Sequence, residues 1–334
     1  MKVLVFGTIA SFLFTTCVHS YEFSLPSLSV GTSPWGAQDE IGRLNMLTKV
    51  NRKNIMSRAN YEVIYDVSVD YFVGMPSWQA AGDPTYQIWM THTPNGSIVD
   101  NVLKQGKHVN SHVSYSGTAI SMYTHTGTHI DALSHFGLDG KIYNHFTAQD
   151  NLGDKGWKKS GADKIPPIIG RGILLDIPSA KRIDALPDNY RISKKDLIQA
   201  ADFAGIELIE GDIVLIRTGR MQQYTDSKKY MTNSPGLGIE AAQYLASSGV
   251  AIVGADNLSF EAFPSEVKGN YVPVHTYLLA QEGVHILELV YLEDLSKNSV
   301  YEFAFIGGSL KLRGADAAPM RPIAIPLFKT HKDK

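Results

Sequence analysis

Between Ser121 and Phe136 the chain reads SMYTHTGTHIDALSHF, which places His125, His129, Asp131 and His135 in one short segment. Neutral imidazole and carboxylate are the ligands that borderline and hard divalent cations take, and four such groups so close together rarely arise from packing alone. Any one of these histidines by itself reads as an ordinary core residue satisfied by hydrogen bonds. The four together point to a metal site. A bound divalent ion lowers the pKa of water from 15.7 to about 7 and polarises carbonyls, so the chemistry expected here is hydrolysis.

Something must bring these side chains together. The i, i+4 spacing of His125 and His129 would suit a helix face, but Gly127 stands between Thr126 and Thr128, which disfavours a helix interior. The alternation of Ser121, Met122, Tyr123 and Thr124 predicts a strand running into a tight turn at Gly127, where backbone freedom lets the histidines converge. Thr128 or Asp131 would then cap a short helix.

The remaining chain is that of an ordinary globular protein. It has 334 residues, 44% of them hydrophobic and 19% charged, enough for one large core. A formal net charge of -2 gives no reason to expect nucleic acid or anionic lipid as a partner, so a small-molecule substrate is expected. Residues 1–20 read as a secretory signal, with Lys2 before the mostly apolar Val3 to Val18, and the mature chain would then begin at Tyr21 as a secreted protein. A membrane anchor is the competing reading, disfavoured because the run is shorter than a span needs and is interrupted by Ser11, Thr15 and Thr16. The single cysteine, Cys17, would leave with the signal, so no thiolate ligand and no disulfide is expected. Asn95 and Asn257 open glycosylation sequons, the first looking the more exposed.

Along the chain, Ser33 to Thr48 predicts a loop and a short helix, and the alternation from Tyr61 to Tyr71 predicts a half-buried strand. Residues 79–111 and 137–164 read as surface excursions; His92, His108 and His112 fall in or just after the first, and His145, in the second, is within reach of the site. Gly170 to Ile177, Gly211 to Gly219 and Val250 to Gly254 read as buried strands, Ser193 to Ala204 and Gly238 to Ser247 as helices, and Tyr301 to Leu312 as the final strand. Arg217 is expected to pair with a buried carboxylate. Asp256, at a strand end, is a further site candidate. Strands alternating with helices, and no internal repeat, argue a single α/β domain over 21–334.

HTGTHIDALSHF resembles the HxGTHxDxPxHF signature of the cyclase family of metal-dependent hydrolases, to which bacterial kynurenine formamidase and isatin hydrolase belong. Leu133 stands where the signature has proline. The likeness extends from Trp35 to Ala324 through YDVSVDYFVGMPSW, GRGILLDI, GDIVLIRTG and the closing RPIA. It implies mixed β-sheets with flanking helices in a swivelling β/β/α-type fold, and a dimer. It also implies that His275 and Glu288 complete a metal site with His125, His129 and Asp131, holding one or two ions, and that His135 is the general acid/base. Histidines favour zinc and carboxylates manganese. Glu282 and His285 are set aside, His285 because strand alternation turns it away from Glu288. The implied reaction is arylformamidase-like opening of an amide, lactam or lactone of a small aromatic compound. A polyketide-type cyclase or dehydratase, or a non-catalytic metal-binding protein, are the alternatives.

Overall fold

Val214 and Ile216 pack into one apolar interior while their neighbours Ile213 and Leu215 pack into another, so the Ile213–Arg217 strand is buried on both faces, as parallel strands are. In the computed structural model, which describes residues 29–79, 82–96, 101, 104–106 and 112–328, this strand lies near the middle of a nine-stranded sheet. The expected leader at 1–20 and His108 fall outside the described residues. Ile168–Asp176 and Ile252–Ala255 flank the central strand in parallel, and His285–Glu288 adds a fourth parallel strand.

Parallel neighbours need crossovers, and helices supply them. Ile177–Lys181 and Lys194–Ala204 follow the first strand, Ile239–Ser247 the second, and Pro273–His275 runs into the π-helical Thr276–Gln281 after the third. Lys194–Ala204 begins as its sequence predicts: the Ser193 hydroxyl accepts from the Asp196 N–H, and the Asp196 carboxylate accepts from the Ser193 N–H. Leu197, Ala200, Leu245 and Leu278 close the first core against the sheet.

Outside the parallel centre the sheet is antiparallel. Glu302–Gly307, Ile323–Pro326 and Tyr65–Asp66 extend one side, and His129–Asp131 and Ala317–Pro319 the other. Phe303 and Phe305 from the first side share the second core with Ala318 and Met320 from the second, so the sheet curls, with Ser309, just past the Glu302–Gly307 strand, bridging Met320. The result is the expected single α/β domain, helices outside and a curled sheet around its own interior.

Three local expectations are corrected. His129–Asp131 is a strand and no helix follows it; pairing with Glu288 on one side and Pro319 on the other satisfies backbone that a helix would have satisfied internally. Thr128 caps nothing, and its hydroxyl instead accepts from the Val69 N–H and donates to the Leu289 carbonyl. Of Tyr61 to Tyr71 only Tyr65–Asp66 is laddered; Val67 and Val69 are buried, but Tyr61 and Val63 face solvent. The strand in Tyr301 to Leu312 is not the final one, because Ala317–Pro319 and Ile323–Pro326 follow it. Within 79–111, Gln87–His92 pairs with Gly117–Ser121 as an antiparallel ribbon whose Ile88, Trp89, Met90 and Ile120 are each about half exposed. The arm at 33–48 packs on the core through Leu44 and Leu47.

Candidate metal centre

His129 and Asp131 stand two apart on one strand and therefore share a face, while Ile130 between them enters the second core. Glu288 is the direct cross-strand partner of His129. His125 reaches the same place through the turn at Gly127, whose φ of +66° favours glycine; a Cβ there would lie 2.3 Å from Cζ of Tyr71. His275 arrives from the turn of helix beginning at Pro273.

The five side chains are buried and their donor atoms converge. Nε2 of His129 is 3.5 Å from Oδ1 of Asp131 and 3.6 Å from Oε2 of Glu288. Nε2 of His275 is 3.3 Å from Oε1 of Glu288 and 3.9 Å from Oδ2 of Asp131, and Nδ1 of His125 is 2.9 Å from Oδ1 of Asp131. Three overlapping triads result: His125, His129 and Asp131; Asp131, His275 and Glu288; and His125, His135 and Asp316.

The bonding of these groups fits a cation. Among the described residues, both Asp131 oxygens and Nε2 of His125 and of His129 are buried without an aligned hydrogen bond, Oδ1 of Asp131 having only the ion-pair approach of His125, a costly state unless something else satisfies them. The far nitrogens are committed elsewhere: Nδ1 of His129 donates to the Gly127 carbonyl at 2.7 Å, and Nδ1 of His275 meets Oε1 of Glu261 at 2.6 Å. Each ring is thereby fixed with its Nε2 lone pair facing the carboxylates. The charges agree. Burial alone would push His125 and His275 down, but carboxylates outweigh it and raise both to about 10, Asp131 and Asp316 acting on the first and Glu261 and Glu288 on the second. The cluster calls for positive charge.

The Cyclase family model matches residues 65–262. The chain belongs to the cyclase family. Among its relatives are Cyclase-like protein 3 of Oryza sativa subsp. japonica, 27% identical over 78% of this chain and 79% of the relative, and a kynurenine formamidase of Bacillus cytotoxicus, 27% identical over 62% and 79%. A crystal structure described as a novel cyclase superposes with a TM-score of 0.77 at 25% identity, covering 87% of this chain and 95% of that one. Isatin hydrolase A of Ralstonia solanacearum shares the fold, with a TM-score of 0.60 at 18% identity over 79% and 92%.

In this cyclase-family chain two further groups act on the cluster. Glu261, fully buried, accepts from the Val274 and His275 N–H groups and holds the His275 ring. Asp316 faces Nδ1 of His135 at 3.3 Å and Nε2 of His125 at 3.5 Å. Sequence reasoning passed over both; the available signal was an acidic residue inside an apolar run, FEAF for Glu261 and GADAAP for Asp316. His135 is half-buried, its ring centroid 4.0 Å from that of His125, and burial chiefly lowers its pKa.

Other candidates fall away from the centre. His145 bonds Thr32, His92 lies against Tyr115, and Asp256 accepts from the Thr218 and Gly219 N–H groups. His285 spends both ring nitrogens on the carbonyls of Asp131 and Ile41, and Glu282 pairs with Arg43. Asn257 is buried with its amide donating to Pro235, whereas Asn95 is exposed. Above the cluster opens a cavity of about 260 Å³, with His125, His135, His275 and Glu288 on its floor and Trp78, Phe136 and Phe263 among its walls. Trp78 stacks on Phe263 with ring centroids 6.2 Å apart, packing against the core while it lines the cavity.

Proposed function

We propose that the chain is a metal-dependent hydrolase that opens an amide, lactam or lactone of a small aromatic substrate. The observation that carries this reading is the set of buried donor atoms on His125, His129 and Asp131 without a hydrogen bond among the described residues, converging beside His275 and Glu288, which with His125 line an aromatic-walled cavity. His125, His129, Asp131, His275 and Glu288 hold one or two ions of zinc or manganese. When bound, a divalent cation supplies Lewis acidity toward the carbonyl and acidifies water. With Nδ1 of His135 directed at Asp316, its Nε2 takes the proton from the attacking water and returns it to the leaving nitrogen or oxygen. Trp78 and Phe136 orient the ring of the substrate. The names of the relatives, kynurenine formamidase and isatin hydrolase, support C–N bonds as the target and make N-formylkynurenine and isatin the first compounds to try.

The test pairs elemental analysis of the purified protein with turnover of an aryl formamide, isatin and an aryl lactone before and after chelation. Zinc or manganese with chelator-sensitive turnover is the expected result, and a protein that binds neither ion refutes the reading. His135→Ala should keep the metal and lose about 10²- to 10⁴-fold in rate, whereas His129→Ala should lose both. Full activity in His135→Ala would remove its assigned role.

Two coarser features belong to the same proposal. Residues 1–20 direct secretion, which an intact mass beginning at Tyr21 would verify. The chain is a homodimer, a state supported by the apolar ribbon at Gln87–His92 and Gly117–Ser121, since an isolated two-stranded ribbon is marginal in water. Light scattering on wild type and Trp89→Asp decides it: the variant should shift toward monomer.

A further inference from the structure

The cavity over the metal centre carries charge of one sign on its outer wall. Asp83 lines it beside Trp78, Tyr123, Phe263 and Tyr271, and no lysine or arginine is among the described lining residues. Asp83 is half-buried and forms no ion pair or side-chain hydrogen bond among the described residues. It also stands apart from the triads that converge on the cation, so a bound ion does not consume its charge. A free carboxylate set among aromatic faces is the arrangement that holds an organic ammonium, because ring faces and carboxylate both attract positive charge. The same wall repels a carboxylate, and no lysine or arginine in the described lining would pair with one.

We propose that the substrate is an aromatic acyl compound whose non-reacting end carries an ammonium and no carboxylate, and that Asp83 reads that charge. This rests on the hydrolase reading and narrows it: a free aromatic amino acid, with its carboxylate, is the disfavoured form.

Three aryl formamides on one ring scaffold test it, with side chains ending in an ammonium, an uncharged methyl and a carboxylate. The expected order of kcat/KM is ammonium, then neutral, then carboxylate, with about tenfold between the first and last at low salt. In Asp83→Asn the ammonium advantage over the neutral compound should fall to within about twofold, and in Asp83→Lys the order should invert. Calorimetric binding of the three matching anilines reads the same preference without turnover. A preference for the ammonium aniline that Asp83→Asn removes supports the proposal. Equal binding, a preference for the carboxylate, or a ranking untouched in Asp83→Asn overturns it. If none of the formamides, isatin or the aryl lactone is hydrolysed while the anilines still rank by charge, the hydrolase reading fails and the cation-selective wall stands.

Discussion

Glu261 shows what a single carboxylate contributes when it touches no substrate. Its Oε1 takes both the backbone N–H and the ring Nδ1 of His275, which fixes the tautomer and aims Nε2 at Glu288. Glu261→Gln should weaken metal affinity about 10- to 100-fold in a competition titration against a chromogenic chelator, with the far-ultraviolet circular dichroism unchanged. An unaltered affinity would make Glu261 a purely structural cap for Pro273–His275. At this scale the cluster at His125, His129, Asp131 and His135 was legible because residue types alone betray it. Glu261 and Asp316 were not legible, since each owes its meaning to a partner the fold brings near: Asp316 lies 181 positions from His135. A lone acid in an apolar run has many uses.

Elements decide how rigidly the groups are held. The turn at Gly127 has φ of +66° and the Tyr71 ring against its Cα face, so Gly127→Ala meets both backbone strain and a clash. The expected outcome is loss of bound metal through displacement of His125, together with about 1–3 kcal/mol of stability, read from elemental analysis and urea denaturation. Arg217 ends its strand by clamping Glu293 bidentately while also reaching Asp176, all within the fold. Its pairing with a buried carboxylate was readable from an arginine in so apolar a run. Arg217→Met should cost about 3–5 kcal/mol in the same denaturation assay, because Asp176 would remain buried without its counter-charge. The parallel strands and capped helices were likewise readable, from apolar runs and from Ser193 with Asp196. What misled was His129–Asp131, three residues whose strand state comes entirely from neighbours at Glu288 and Pro319. No local pattern encodes pairing of that kind.

With a cation in the proposed site, the whole molecule would tie its stability to that ion. Asp131 is fully buried, and among the described residues neither oxygen makes an aligned hydrogen bond, Nδ1 of His125 approaching Oδ1 at 2.9 Å as an ion-pair contact, so a bound ion would relieve a penalty in the folded state that the unfolded chain does not carry. Ligand at 100 times its Kd adds about 2.7 kcal/mol. Removing the metal by dialysis against chelator should lower Tm by about 5 °C or more, and zinc or manganese should restore it. Identical Tm with and without metal would show that the folded state does not bind it. The α/β class followed from alternating elements, but the curl that brings Phe305 and Met320 into one interior depends on contacts between distant strands and has no local signature.

The distance in sequence between the histidine segment and its carboxylate partners also sets a sequence in time. A ribosome releases His125, His129 and Asp131 long before Glu288, and Asp316 later still. During that interval the nascent segment is an open chelator with histidine nitrogens and one carboxylate, free to take whichever transition metal is most abundant and binds imidazole best. Only the closed sheet, with Glu288 beside His129 and Asp131 held immobile between two strands, imposes a fixed coordination shell. On the proposed reading, selectivity for the metal is therefore a property of the finished fold rather than of the histidine segment alone.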